Sequence, residues 1–142
     1  MKRFEWVDHP SDVGFRAHGK DLSEALENAA LALFEVMVDT NKVEPKEEVK
    51  IELGAEDEKA LLYDWLDHFL YLHDSQDLVF SRFKVEEISR EGGTFKLKAR
   101  AWGERFDPSR HDARTEIKAV TYHLMEIRYL PDRCSVQVIV DI

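Results

Sequence analysis

The sequence predicts an α+β fold: a single domain, residues 1–142, with a largely antiparallel β-sheet and two long amphipathic helices packed on one face. Three observations lead to this prediction. Segments that alternate as strands outnumber helical segments, two pairs of them flank turn sequences typical of hairpins, and two stretches repeat apolar residues at helical spacing. A chain of this length is usually one domain and buries about 70% of its extended-chain surface.

Five segments of the N-terminal half have a regular hydrophobic period, in the order strand, strand, helix, strand, helix. In that order they are residues 2–7, 13–19, 21–39, 48–54 and 57–73. The first helix is the clearest, because its apolar residues recur every three or four positions and Glu24 follows Asp21 at capping-box spacing. The first two strands are expected to pair around a short loop. If the first strand also lay beside the last strand, that loop would reach the C-terminus.

Two hairpins are predicted in the C-terminal half, each from two alternating segments around a turn sequence. Their arms are residues 78–91 with 94–106, and residues 118–130 with 134–142. The turn sequences are Gly92-Gly93 and Pro131-Asp132-Arg133. Residues 107–116, between the hairpins, have no clear period and are expected to form a loop.

The composition argues against several classes of protein. A net charge of −9 is unfavourable for tight, direct binding of nucleic acid, because phosphate-binding surfaces are normally basic. No apolar run approaches the ~18 residues of a membrane span, and the N-terminal residues lack the apolar core of a signal peptide. We therefore expect a cytoplasmic protein with no membrane partner. The single cysteine, Cys134, excludes an internal disulfide and is interpreted as a packing residue.

Carboxylates near the two ends of the chain suggest a metal site. Asp141 and the α-carboxylate of Ile142 offer oxygens from adjacent residues, and Asp12 lies on a tight loop before the second strand. Such an all-oxygen set suits Ca²⁺, Mg²⁺ or Mn²⁺, and a cation would relieve the repulsion between the carboxylates. The residues alone leave a second interpretation open, in which Asp141 is a surface residue and Asp12 forms an Asx-turn.

Two other groups of polar residues are candidate sites. Asp64, Asp67 and His68 share one side of the second helix, where they form either a ligand set or its solvated face. Residues 111–124 mix basic and aromatic side chains and form either a surface for an anionic partner or an ordinary strand. The sequence contains no nucleotide-binding glycine motif, zinc-protease motif or serine-nucleophile motif, so no self-contained active site is predicted.

Four sequence blocks in this order resemble the archease family over nearly the whole chain. They are Asp8–Gly14 before the first helix, Leu62–Leu66 in the second helix, Glu116–His123, and the ending Asp141-Ile142. The family usually has DHTAD where this chain has DHPSD, so Asp8, His9 and Asp12 are kept.

The resemblance implies a non-catalytic activator of the RtcB-type RNA ligase, which joins RNA ends in tRNA splicing and RNA repair. In this family the accessory protein promotes guanylylation of the ligase and multiple turnover. GTP is used by the ligase and is not expected to bind tightly to this chain. The family's metal-binding acidic residues correspond to Asp12 and Asp141, with the terminal carboxylate of Ile142 completing the site. His9 and Lys118 are expected to contact the ligase or a phosphate bound to it.

Two alternative functions come from other classes. One is a stand-alone metal-dependent phosphohydrolase or nucleotidyl-transfer enzyme, with His9 or His123 as general base. The other is a general chaperone that binds exposed apolar surface. The enzyme predicts turnover by this chain alone, and the chaperone predicts protection of unrelated proteins without dependence on Asp12.

Overall fold

The computed structural model describes residues 2–9 and 12–142. Within these ranges it contains eight strands, two α-helices and one 3₁₀ turn. In chain order they are β1 (Phe4–Val7), β2 (Val13–Gly19), α1 (Leu22–Met37), the 3₁₀ turn (Thr40–Lys42), β3 (Glu47–Ala55), α2 (Glu58–Gln76), β4 (Leu78–Glu91), β5 (Thr94–Arg105), β6 (Ala119–Val120), β7 (Glu126–Leu130) and β8 (Arg133–Asp141). Across the described residues, neither α-helix combines the length and hydrophobicity needed to cross a membrane.

The strands form two antiparallel sheets, which confirms the predicted fold class and divides its strands between two layers. The first sheet has the order β1-β2-β8-β6, and β7 pairs with another part of β8. The second sheet has the order β3-β5-β4. Helix α1 packs against β2 and β4, so it links the two sheets. The first strand does not lie beside the last strand, because β2 lies between β1 and β8.

Both α-helices begin at an aspartate that caps their first turn. The Asp21 carboxylate accepts the backbone N–H of Glu24 at 2.9 Å, and the Glu24 carboxylate accepts the N–H of Lys20 at 3.0 Å. Asp57 caps α2 in the same way, at 2.7 Å. These bonds satisfy N–H groups that have no partner inside the helix, which explains why the helices begin where the sequence predicts. Helix α2 continues to Gln76, three residues beyond its predicted end.

Replacing Asp21 with alanine is expected to lower the free energy of unfolding by about 1 kcal/mol, because the first turn of α1 loses its cap. Urea unfolding followed by circular dichroism measures this change. Asp74→Ala is the control, because Asp74 is exposed in the last turn of α2, where a negative charge opposes the helix dipole. This control should be neutral or slightly stabilising. An equal decrease in the free energy of unfolding for both variants would contradict the role assigned to the Asp21 cap.

The core lies between the sheets and the helices and is rich in aromatic rings. Phe34 of α1, Phe69 of α2 and Phe80 of β4 pack edge to face, with ring centroids 5.4–5.8 Å apart. Trp65 of α2 is fully buried, and its indole N–H donates to the carbonyl of Leu26 at 2.8 Å. Such contacts hold α1 and α2 against each other and against β4.

The first arm of the second hairpin differs from its prediction as one continuous strand. It contains two short strands, β6 and β7, and the chain leaves the sheet over residues 121–125. The N–H and hydroxyl of Thr121 both donate to the carbonyl of Ile139, at 3.2 and 2.7 Å. The chain then turns through Leu124, whose φ of 55° lies in the left-handed region. Alternating hydropathy across this arm does not reveal such a backbone reversal.

Candidate functional site

The loop before β2 and the end of β8 meet through the register of the first sheet. Val13 at the start of β2 pairs with Val140 near the end of β8. Asp12 precedes Val13 and Asp141 follows Val140, so the antiparallel pairing brings the two aspartates to the same end of neighbouring strands. The backbone therefore brings Asp12 and Asp141 close together, as the predicted metal site requires.

The last residues of the chain are held on both sides. On the side away from β2, Asp141 pairs with Ala119 of β6, and its carbonyl accepts the N–H of Lys118 at 2.7 Å. The Ile142 side chain is partly buried and packs against the hydrophobic core. Backbone pairing and this apolar contact therefore fix the terminal carboxylates. The Lys118 side chain is exposed at the same end of the sheet.

His9 lies beside Asp12 at this edge. Its Nδ1 is 3.3 Å from Oδ2 of Asp12, but the two atoms are not aligned as a hydrogen bond. This buried Nδ1 has no hydrogen-bond partner among residues 2–9 and 12–142. The His9 ring meets His123 edge-on, with centroids 5.3 Å apart. The structure thus brings His9 to the predicted site and places His123 beside it. The sequence suggested His123 as an alternative base and as part of the mixed basic and aromatic segment 111–124.

The segment that carries His123 is held in place by contacts from α2 and from β8. Tyr122 stacks on Tyr63 with ring centroids 4.5 Å apart and planes 7° from parallel. The carbonyl of Leu124 accepts the side-chain N–H of Gln137 at 2.9 Å. Tyr122 and Leu124 nevertheless remain 54% and 52% exposed, so an apolar surface lies close to the carboxylates.

The donor groups at this edge are suited to a hard cation. In the part of the chain that the structure describes, no three His, Cys, Asp or Glu side chains are grouped to hold a metal ion. An ion here would therefore rely on Asp12, Asp141 and the α-carboxylate of Ile142. These donors are all oxygens, and Ca²⁺, Mg²⁺ and Mn²⁺ accept such donors, with water completing the coordination.

The other two groups of polar residues from the sequence do not form sites of this kind. On α2, burial raises the pKa of Asp64 and lowers the pKa of His68, and this trio does not form a metal-binding group. In residues 111–124, His111 is completely buried and Arg114 donates to the carbonyl of Glu35 at 3.0 Å. The basic residues of that segment therefore do not share one surface.

A buried polar network around Glu104 is absent from the sequence predictions. The Glu104 carboxylate accepts hydrogen bonds from Arg110 at 2.6 Å, from the N–H of Glu44 at 2.8 Å and from Nε2 of His111 at 2.8 Å. Nδ1 of His111 accepts the N–H of Asp107 at 2.9 Å, so Nε2 carries the proton. Burial tends to raise the pKa of Glu104, but the three hydrogen bonds lower it to about 2. This network ties the loop after β5 to the second sheet.

Cys134 is buried in β8, as expected for a packing residue. Burial, assisted by the nearby carboxylates of Glu58 and Asp21, raises the pKa of its thiol to about 11. A nucleophile needs the thiolate form, which this environment disfavours.

A model of the archease protein family matches residues 4–142. The chain belongs to the archease family. It is 46% identical to the archease of Pyrococcus furiosus over 143 residues, covering 100% of both chains. Membership in the archease family confirms the resemblance carried by the four sequence blocks. Pro10 and Ser11, where the first block departs from DHTAD, lie outside the described residues.

Solved structures agree with membership in the archease family. The solution structure of Methanobacterium thermoautotrophicum protein 1598 has a TM-score of 0.85 and 43% identity, with all of both chains covered. A Thermotoga maritima crystal structure, described as an archease and possible chaperone, has a TM-score of 0.57 and 24% identity. It covers 96% of this chain and 94% of its own, and at this identity it supports the fold alone.

Proposed function

We propose that the protein is a non-catalytic, metal-binding activator of an RtcB-type RNA ligase in tRNA splicing and RNA repair. The observation that carries this proposal is the β2–β8 register, which brings Asp12 and Asp141 to one edge in a member of the archease family. The proposed action is to promote ligase guanylylation and multiple turnover, as the resemblance implies. We place this activity in the cytoplasm.

Asp12, Asp141 and the terminal carboxylate of Ile142 are proposed to hold one divalent cation. Three negative groups at one edge repel one another, so a cation would stabilise their close approach. Ca²⁺, Mg²⁺ and Mn²⁺ all suit oxygen donors. When bound, the ion supplies positive charge that can be presented to phosphate groups at the active site of the ligase.

His9 and Lys118 are proposed to contact the ligase or a phosphate that the ligase holds. Both lie at the same edge: His9 is next to Asp12, and the backbone of Lys118 is bonded to Asp141. The Lys118 ammonium is exposed and can reach an anionic group outside the chain. The exposed side chains of Tyr122 and Leu124 lie on the adjacent turn and can contribute apolar contact area.

In this proposal the ligase carries out all the catalytic steps. GTP is consumed there, and tight GTP binding by this chain is not part of the proposal. The net charge of −9 supports contact with a protein surface over direct contact with RNA, because RNA would be repelled.

Asp12→Asn and Asp141→Asn are each expected to reduce stimulation of ligation to nearly the rate of the ligase alone. Each variant keeps the shape of the side chain but removes one negative charge from the cation site. The measurement is multiple-turnover ligation by the purified ligase with each variant added. Asp74→Asn, which alters an exposed aspartate on α2, should stimulate like the unmodified protein. Full stimulation by both site variants would remove the carboxylate site from the mechanism.

The same preparations separate this proposal from the two alternatives. The chain alone, incubated with nucleotide or RNA ends and Mg²⁺, Mn²⁺ or Ca²⁺, is expected to show no turnover. It is also expected not to suppress aggregation of an unrelated unfolding protein. Turnover abolished by Asp12→Asn would favour the enzyme, and protection unaffected by that change would favour the chaperone.

A further inference from the structure

A cleft of about 620 Å³ opens between the two sheets, in the size range of small-molecule sites. It is lined by residues before β1, by α1 and by β4, the edge strand of the second sheet. His18, near the end of β2, also lines it. Because Asp12 precedes the start of that strand, six residues away, the cleft is roughly 20 Å from the carboxylate edge. It is therefore a separate site.

Three cationic side chains line this cleft: Lys2, Arg3 and Arg82. Among residues 2–9 and 12–142, no carboxylate lies within 4 Å of the charged nitrogens of these three. The Arg82 guanidinium is held 4.7 Å above the Trp102 ring, which limits its freedom but leaves its N–H groups available. The carboxylates of Glu24 and Glu27 also line the cleft, so three positive and two negative side chains give it a formal charge of +1. In a protein of net charge −9, this local excess of positive charge favours an anion.

Helix α1 contributes hydrogen-bond acceptors to the same cleft. One oxygen of the Glu27 carboxylate accepts the N–H of Val85 at 2.8 Å, which anchors the group and leaves its other oxygen free to accept from a ligand. The Glu27 side chain is half-buried, and burial raises the pKa of its carboxyl group. The Asn28 side chain donates to the carbonyl of His18 at 2.6 Å, which leaves its own amide oxygen as a second acceptor. This wall therefore favours a group that donates hydrogen bonds.

Leu31 and Phe83 also line the cleft and provide apolar area. We propose that the cleft binds a small phosphate ester whose organic part donates hydrogen bonds. The phosphate contacts Lys2, Arg3 and Arg82, and the organic part contacts Leu31, Phe83 and the Glu27 carboxylate. Guanidinium groups bind phosphate through paired, charge-assisted hydrogen bonds, and a carboxylate accepts N–H or O–H donors with similar strength.

The test is an NMR titration of the full-length ¹⁵N-labelled protein with adenosine 5′-monophosphate, inorganic phosphate and adenosine as separate probes. Adenosine 5′-monophosphate carries both a phosphate and N–H donors. It should produce saturable shifts at the backbone amide of Phe83 and the side-chain amide of Asn28. It should also bind about ten-fold tighter than either phosphate or adenosine, because it engages both walls. No saturable shift at these amides overturns the proposal. Affinity equal to that of phosphate overturns the role given to the organic part.

Two conservative variants test the two walls separately. Arg82→Gln should lower the affinity for both adenosine 5′-monophosphate and phosphate by about ten-fold. Glu27→Gln can keep the bond to Val85 through its amide oxygen. This variant should weaken binding of the nucleotide, whose organic part loses a charged acceptor. It should not weaken binding of phosphate, because it removes a nearby negative charge. If Arg82→Gln fails to fold, Glu27→Gln decides the test, and loss of selectivity for the nucleotide is the required result.

Arg90→Gln is the matched control for charge. Arg90 also lies on β4 and is held over an aromatic ring, with its guanidinium 5.2 Å from Phe95, but it does not line the cleft. It should bind both probes like the unmodified protein. Equal weakening by Arg82→Gln and Arg90→Gln would show general attraction of anions and would overturn the proposed site.

Discussion

Replacing Gly103 with alanine is expected to lower the free energy of unfolding by about 3 kcal/mol, a large part of the stability of an ordinary domain. Gly103 lies in β5, the central strand of the second sheet, and pairs with Glu47 on one side and Phe80 on the other. A Cβ at this position would lie 1.9 Å from the carbonyl oxygen of Val79 and 2.8 Å from the Cα of Phe80. Both are backbone atoms, so relief requires β4 to move away from β5.

Gly54→Ala is the matched control for this substitution. Gly54 lies in β3 of the same sheet, and the nearest atom to an added Cβ would be 3.7 Å away, an ordinary contact. Its free energy of unfolding should change by less than about 0.5 kcal/mol. Urea unfolding followed by tryptophan fluorescence compares the two variants. Equal stability of Gly103→Ala and Gly54→Ala would show that the approach of β4 to Gly103 is not a structural constraint.

Replacing Glu104 with glutamine is expected to lower the free energy of unfolding at neutral pH by about 2 kcal/mol. Its three neighbours, Arg110, His111 and the N–H of Glu44, all act as donors. A glutamine amide would direct its own N–H₂ at one of these donors, so that two donors face each other without an acceptor. The negative charge that Arg110 contacts would also be lost. Urea unfolding at neutral pH measures the effect.

The same substitution should change the pH dependence of stability below neutral pH. The pKa of Glu104 is about 2 in the folded protein, against an ordinary value of 4.5. A carboxyl group with a lowered pKa stabilises the fold above its unfolded pKa, and this contribution is lost as the pH falls. The urea midpoint of the unmodified protein should therefore fall between about pH 4.5 and pH 2, and that of Glu104→Gln should fall less over the same range.

Glu87→Gln controls for the general effect of losing a carboxylate. Glu87 is exposed on β4 and lies in the same sheet. Its variant should keep the acid dependence of the unmodified protein. Parallel pH profiles for the unmodified protein and Glu104→Gln would contradict the role assigned to this buried network.

The elements that the sequence predicts well are those determined by local periodicity. The helix over residues 21–39 is amphipathic and has a capping aspartate, and the hairpin around Gly92-Gly93 has alternating arms and a suitable turn. Each signal lies within about 30 consecutive residues and depends only on side chains close in sequence. The structure places α1 and the β4–β5 hairpin within a few residues of those predictions.

Features that depend on distant residues were not predictable in the same way. Alternation within residues 2–7 and 13–19 shows that both are strands but does not show which of them pairs with β8. The interruption at Leu124 depends on hydrogen bonds from Thr121 to Ile139 across the sheet. A hydropathy pattern contains no information about such partners.

The candidate sites show the same division. Family motifs pointed to Asp12 and Asp141, and the register explains how residues so far apart in sequence come together. Glu104 gave no signal, because it follows Gly103 in a strand and its partners belong to separate loops. The cleft was also missed, because Lys2, Glu27 and Arg82 come from three separate parts of the chain.

The pairing of Val13 with Val140 sets an order of events during synthesis. A ribosome that adds roughly 5–20 residues per second needs on the order of 10 s to proceed from β2 to β8. During that interval the edge of β2 that will pair with β8 is unpaired. An unpaired strand edge can hydrogen-bond to other nascent chains. The N-terminal hairpin must therefore remain unfinished until the final strand is translated, and the carboxylate edge is among the last parts of the molecule to form.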